Sequence, residues 1–228
     1  MLECRDLTAG YGGGVVLEGL SLAVGRGEAV GVLGRNGVGK TTLLRVIMGL
    51  LPLAGGEVRL DGLPIHRVPT HARARAGLAY VPQGRGLFGE LSVADNLRLA
   101  DLARPGIDDA LGLFSTLAER RDARADALSG GQQQQLAIAR ALRTRPTCLL
   151  LDEPSEGVQP SVVSDLADTL RARVAETGLA VVLVEQNADL ALRLCDRLVF
   201  LEAGAVAETI PAEAARRDPA LIDARLGL

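Results

Sequence analysis

Three observations predict an α/β fold with a mostly parallel core sheet, an antiparallel edge sheet and an inserted helical subdomain. Short apolar runs bounded by glycine, proline or acidic residues alternate with stretches of helical spacing, the pattern of parallel strands joined by helices. Residues 90–145 keep helical spacing and contain no convincing strand. The first 25 residues have hairpin character, which places an antiparallel sheet at the edge.

The elements follow in order. Residues 30–33 form an apolar run ending in a glycine-rich turn and read as a buried strand. Residues 41–50 have helical spacing and stop near Gly49 and Pro52. A strand at 57–60 leaves into Asp61-Gly62, and another at 78–81 is stopped by Pro82. Ser92 reads as the N-cap of a helix to residue 100, with Asp95 three residues on. Strands return at 148–151, 180–184 and 198–201, separated by helices at 161–176 and 188–194. Ala203-Gly204-Ala205 is a turn, and the last 15 residues read as a small helical tail. The expected organisation is a core with its edge sheet at 1–86 and 146–212, a helical arm at 87–145 and a tail at 213–228.

Composition bounds the function. The 228 residues suit one domain with a subdomain, and 48% apolar content supports a packed core. Three Phe, two Tyr and no Trp make that core aliphatic. A net charge of −3 argues against a surface that grips nucleic acid. The opening MLECRDL lacks a basic segment and an apolar run, so no secretion signal is expected. No apolar run approaches the ~18–20 residues that span a bilayer, so any membrane crossing falls to another chain. Cys4, Cys148 and Cys195 have no metal spacing and read as buried reduced thiols. His66 and His71 read as surface residues.

Gly34-Arg35-Asn36-Gly37-Val38-Gly39-Lys40-Thr41 fits G-x-x-x-x-G-K-[ST] between a strand and a helix. Glycines let successive N–H groups curl toward phosphate oxygens, and the helix start adds its positive end. Lys40 supplies charge to the β- and γ-phosphates, and the Thr41 hydroxyl suits Mg²⁺. The run 148–151 delivers Asp152 and Glu153 at a strand's C-terminal end, where open α/β sheets bind ligands. Asp152 suits Mg²⁺ and Glu153 suits a general base. An apolar run ending in Asp-Glu is weak alone; the phosphate loop makes it strong. Leu128-Ser129-Gly130-Gly131-Gln132 opens a helix at 133–142. It is either an ordinary capped helix start or a second phosphate cradle. One nucleotide has one γ-phosphate, so a second cradle serves mainly another subunit's nucleotide.

Gly34 to Thr42, Leu128 to Gln132 and Leu149 to Glu153, in this order and spacing, resemble the ABC-type P-loop ATPase family over essentially the whole chain. The resemblance implies ATP and Mg²⁺ as cofactors and ATP hydrolysis coupled to transport. It also implies a head-to-tail pair of ATPase subunits, in which each ATP lies between one subunit's phosphate loop and the other's Ser-Gly-Gly. Gly34, Asn36, Gly37, Gly39, Lys40, Thr41 and Thr42 then bind the nucleotide, as do Ser129, Gly130, Gly131 and Gln132. Tyr11 resembles the residue that stacks on adenine; a packing tyrosine is the alternative. Gln83 resembles the glutamine that reaches Mg²⁺ and the attacking water; an ordinary loop amide is the alternative. Two positions depart from the pattern. Gln186 stands where most members have a histidine at the γ-phosphate, and Gln159 replaces a commonly acidic residue. Gln donates but does not ionise near neutral pH, which puts symmetric catalysis in doubt.

Lys40 and Ser129 are 129 − 40 = 89 residues apart, too close for the coiled-coil insertion of chromosome-type relatives. One cassette is present, not the two of translation-type relatives. A stand-alone transporter subunit remains, held by integral membrane permease subunits at the cytoplasmic face of the inner membrane. Tyr80-Val81-Pro82-Gln83-Gly84-Arg85 and Val184-Glu185-Gln186-Asn187 look like the smaller ATPase of importers for hydrophobic amino acids and amides. That subunit pairs with a sister ATPase, although a homodimer stays open, and an extracytoplasmic solute-binding protein acts indirectly. Glu156-Gly157-Val158-Gln159-Pro160 leans toward urea systems, while Glu185-Gln186-Asn187-Ala188-Asp189 leans toward branched-chain amino acids, which rank first. Two other readings are an ATP-gated interaction module with weak turnover and a non-transport regulator. Leu87, Phe88 and Leu91 are expected to line a groove for a short helix of the membrane subunit.

Overall fold

The computed structural model describes residues 1–104 and 106–226. The strands are β1 (Leu2–Tyr11), β2 (Gly14–Val24), β3 (Ala29–Leu33), β4 (Gly55–Leu60), β5 (Leu63–Pro64), β6 (Leu78–Val81), β7 (Cys148–Asp152), β8 (Ala180–Glu185), β9 (Arg197–Glu202) and β10 (Ala205–Pro211). The α-helices are α1 (Lys40–Met48), α2 (Thr70–Arg75), α3 (Val93–Ala100), α4 (Asp108–Leu111), α5 (Ser115–Glu119), α6 (Gly130–Arg143), α7 (Pro160–Thr177), α8 (Ala188–Leu194), α9 (Ala212–Arg217) and α10 (Ala220–Leu226).

Two sheets form. One is antiparallel in the order β2-β1-β4-β5, and the other runs β10-β9-β3-β8-β7-β6. In the second, β9, β3, β8, β7 and β6 are mutually parallel and only β10 is antiparallel. β3, β7 and β8 are buried along their whole length because both faces of the sheet are covered. One face packs into a cluster containing Leu43, Ile47 and the inward residues of β1, β2 and β4, so α1 lies between the sheets. The other face packs against α7, α8 and the arm helices, whose Leu97, Leu117 and Leu136 share one buried cluster with Leu149 and Leu151.

Local sequence explains several elements closely. Ser92 accepts from the Asp95 amide and starts α3, as its spacing predicts. Helix 188–194 and strand 78–81 have the expected bounds. β10 and α2 escape the apolar pattern. β10 is an edge strand with mostly exposed residues, and α2 reads THARAR with no apolar stripe. α2 is instead fastened by Arg73, which is buried and donates to the carbonyls of Val46, Ile47, His66 and Val68. His66 is half-buried beside this staple and its Nδ1 has no partner, so of the two histidines only His71 is on the surface as expected. The three cysteines are buried and free, and burial pushes each thiol up, Cys148 to about 12. The helical tail begins with Ala212; residues 227 and 228, which the tail also included, lie outside the described residues, as does residue 105 of the arm. No helix among the described residues is long and apolar enough to cross a membrane.

Candidate active site

β3 carries the chain to the C-terminal edge of the parallel sheet, where Gly34 turns it. A Cβ at Gly34 would lie 2.7 Å from the Leu201 carbonyl oxygen. Gly39 has φ +107° and a Cβ there would meet Leu17 at 2.8 Å, so any larger residue would push the loop off the sheet. The loop delivers Lys40 as the first residue of α1. No side chain caps that helix, which leaves its first amides available to an anion. Lys40 is only 4% exposed; its Nζ donates to the Gly34 and Arg35 carbonyls at 2.8 and 3.1 Å and sits 3.3 Å from a Glu153 oxygen. Thr41 and the buried Thr42 follow on α1.

β7 delivers the carboxylates. Asp152, 2% exposed, accepts from Thr41 Oγ1 at 2.9 Å and from Tyr80 Oη at 2.9 Å. Burial raises the Asp152 pKa, and the Tyr80 and Thr41 hydrogen bonds oppose the rise by favouring the charged form. Burial and the same carboxylate push the Tyr80 phenol upward, which keeps it a donor. Glu153 adopts φ +47°, so the chain bends at the strand end and its side chain leaves Asp152. The Glu153 carboxylate collects donors from three segments. Besides Lys40 they are Gln186 Nε2 at 3.2 and 3.3 Å and Gln83 Nε2 at 3.4 Å. Gln186 Nε2 also donates to Asn36 Oδ1, tying the end of β8 to the phosphate loop. Gln83 donates at 2.9 Å to Glu156.

Thr41 and Asp152 thus present a hydroxyl and a carboxylate oxygen in mutual contact. Among the described residues no group of three or more His, Cys, Asp or Glu could hold a metal. A hard oxygen pair with few protein ligands fits Mg²⁺, which takes its remaining ligands from phosphate and water.

Tyr11 ends β1, is 46% exposed and accepts from Arg45 of α1 at 3.3 Å. Ser129 caps α6: its Oγ accepts from the Gln132 amide, and Gln132 Oε1 accepts from the Ser129 amide. Ser129 is exposed, Gly130 half-buried, and Gly131 buried against Val162. The predicted residues therefore fall into two groups. The phosphate loop, Asp152, Glu153, Gln83 and Gln186 converge, and the Ser-Gly-Gly turn opens α6 with Ser129 exposed. Sequence reasoning missed the contacts of Tyr80 and Glu156. The available signal for Tyr80 was its position on the strand that pairs with the acidic one.

A groove of about 450 Å³ opens beside this site, walled by Met48, Leu50, Phe88, Leu99 and Arg140. Phe88 is exposed, with the Arg140 guanidinium 5.7 Å from its ring. The expected apolar lining is corrected: Leu87 is partly buried against the core, Leu91 lies outside the groove, and Leu50 and Leu99 take their places.

Residues 17–156 match the family described as ABC transporter. The chain is 38% identical over its whole length to BraG of Pseudomonas aeruginosa, a high-affinity branched-chain amino acid transport ATP-binding protein that is itself covered completely. It is 36% identical to LptB of Escherichia coli, a lipopolysaccharide export system ATP-binding protein, over 89% of this chain and 87% of that one. Among solved structures it resembles a dimeric ATP-binding cassette in a post-hydrolysis state bound to ADP and Pi, with TM-score 0.83, 25% identity and coverage of 93% and 99%. A phosphate loop closed by Lys40, an acidic pair at the end of β7 and these likenesses place the chain in the ABC transporter family, as an ATP-binding and ATP-hydrolysing subunit.

Proposed function

We propose that this ATPase powers import of branched-chain amino acids, working with a second ATPase subunit and with permease subunits at the cytoplasmic face of the membrane. The meeting of Lys40, Asp152, Glu153, Gln83 and Gln186 at the C-terminal edge of one parallel sheet carries the hydrolytic part of the reading. Lys40 gives up its carbonyl and Glu153 partners to hold the β- and γ-phosphates, with the amides of residues 34–42 around them. Thr41, Asp152 and Gln83 would hold Mg²⁺, which when bound would supply positive charge beside the phosphates. Glu153 accepts the proton of the attacking water, and Gln186 donates to the γ-phosphate in place of histidine. Tyr11 stacks on adenine.

Ser129, Gly130, Gly131 and Gln132 serve a second subunit's nucleotide through the exposed Ser129 end of the turn, and residues 87–145 move as the arm that brings them there. The second subunit is a sister ATPase that keeps the histidine. The Phe88 groove receives a short permease helix, and a solute-binding protein delivers cargo on the far side. Likeness to BraG supports amino acid cargo, and likeness to LptB makes an export system the second reading. Replacing Glu153 by Gln removes the base but leaves the phosphate loop. Hydrolysis is expected to fall at least 100-fold with Mg-ATP affinity within threefold. Phosphate release and nucleotide titration measure both, and normal turnover by Glu153→Gln would remove Glu153 from its role.

A further inference from the structure

The proposed chemistry uses Gln186 and leaves its neighbour unexplained. Glu185 closes β8, is 2% exposed and has no cationic partner among the described residues. One of its carboxyl oxygens accepts from the Ser155 amide at 2.8 Å. The Glu153 amide donates to the Val184 carbonyl at 2.9 Å, so the segment after β7 is tied twice to the end of β8. Residues 153–158 then form a tight turn, with Glu156 N donating to Glu153 O and Val158 N to Ser155 O. That turn reaches the Ser-Gly-Gly segment. The Gly157 carbonyl oxygen lies 3.4 Å from where a Gly130 Cβ would stand, and Val162 fills the space beside Gly131. Glu185 therefore anchors, through Ser155, a turn that lies beside Gly130.

We propose that Glu185 is a positioning residue for hydrolysis: by accepting from the Ser155 amide it fixes the turn 153–159, which aims Glu153 on one side and supports the Ser-Gly-Gly segment on the other. A buried carboxyl is costly to keep unless its hydrogen bonding is used. Here it gives a loop amide a buried acceptor that no backbone group supplies. Glu185 and Gln186 thus hold the site from successive positions, Glu185 through the Ser155 amide and Gln186 through Asn36 and Glu153.

The proposal rests on the hydrolytic reading above, and the test separates the two. The purified full chain is compared with Glu185→Ala and Glu185→Gln for kcat, Mg-ATP affinity and hydrogen exchange of residues 153–159. Glu185→Ala is expected to lower kcat at least tenfold, leave affinity within threefold and speed exchange at Ser155 at least tenfold. Glu185→Gln keeps a carbonyl acceptor and should restore all three to near the parent values. Unchanged exchange and kcat in a folded Glu185→Ala protein would overturn the proposal, as would Glu185→Gln being equally impaired. If Glu185→Ala does not fold, an unprotected Ser155 amide in the parent chain overturns the anchor and a protected one supports it. If the parent chain turns over no ATP, alone or with its sister, the hydrolytic reading fails while the exchange measurement still decides the anchor.

Discussion

Lys40 brings a full positive charge into a nearly closed pocket and satisfies it there with two carbonyls and a carboxylate. A bound triphosphate competes for that ammonium as a stronger acceptor set. Lys40→Ala is expected to weaken Mg-ATP binding by roughly 10–100-fold, since hydrogen bonds to charged groups contribute about 1.5–3 kcal/mol. Equilibrium titration with a fluorescent ATP analogue checks this. Lys40 is also the chain's only lysine, so an amine reagent reports on the phosphate loop and the N-terminus alone. Glu185 gives a pH dependence. Burial, with Glu153 nearby, pushes its pKa from 4.5 to about 7, opposed by Ser155. A folded-state pKa above the unfolded one means a contribution fully present below pH 4.5 and lost as pH rises through 7. Thermal stability is expected to fall over that window by on the order of 3 kcal/mol, and Glu185→Gln to flatten the slope. The residue types of the site were legible in the sequence because phosphate chemistry demands glycine, lysine and a hydroxyl in order. The role of Tyr80 was not, because its partner Asp152 is 72 residues away and the two meet only across paired strands.

At the scale of elements, α1 is held at both ends by different physics. Its first turn is free of capping side chains and faces the anion site, while its last carbonyls are gathered by Arg73 of α2. Removing that guanidinium takes a donor from each of four carbonyls, of which Val46 keeps the Gly49 amide. Arg73→Ala is expected to cost about 3 kcal/mol of folding stability, measured by denaturant unfolding, with little effect on nucleotide affinity in the folded fraction. α2 shows where pattern reading ends. A six-residue helix without an apolar stripe is selected by one long-range arginine, not by periodicity. α6 is the opposite case. Its capping box, Ser129 with Gln132, is local and readable, and it fixes where the helix begins whatever the arm packs against.

At the scale of the whole molecule, the phosphate loop and the Ser-Gly-Gly turn belong to different parts of the fold. The phosphate loop joins β3 to α1, and the Ser-Gly-Gly turn opens α6, with Ser129 exposed and Gly131 buried. Glu153→Gln with Mg-ATP is expected to shift toward a dimer on size-exclusion chromatography, and adding Ser129→Asp, which sets a negative charge against the partner's phosphate, should abolish the shift. The sequence by itself determined the parallel strands, the phosphate loop, the acidic pair and the caps, because each depends on residues close together in the chain. Only the tertiary structure decided β10, the Arg73 staple, the groove lined by Leu50, Phe88 and Leu99, and the Glu185–Ser155 contact. Those depend on which distant carbonyls, amides and apolar surfaces the packed sheets bring within hydrogen-bond or van der Waals range, and no local spacing encodes that meeting.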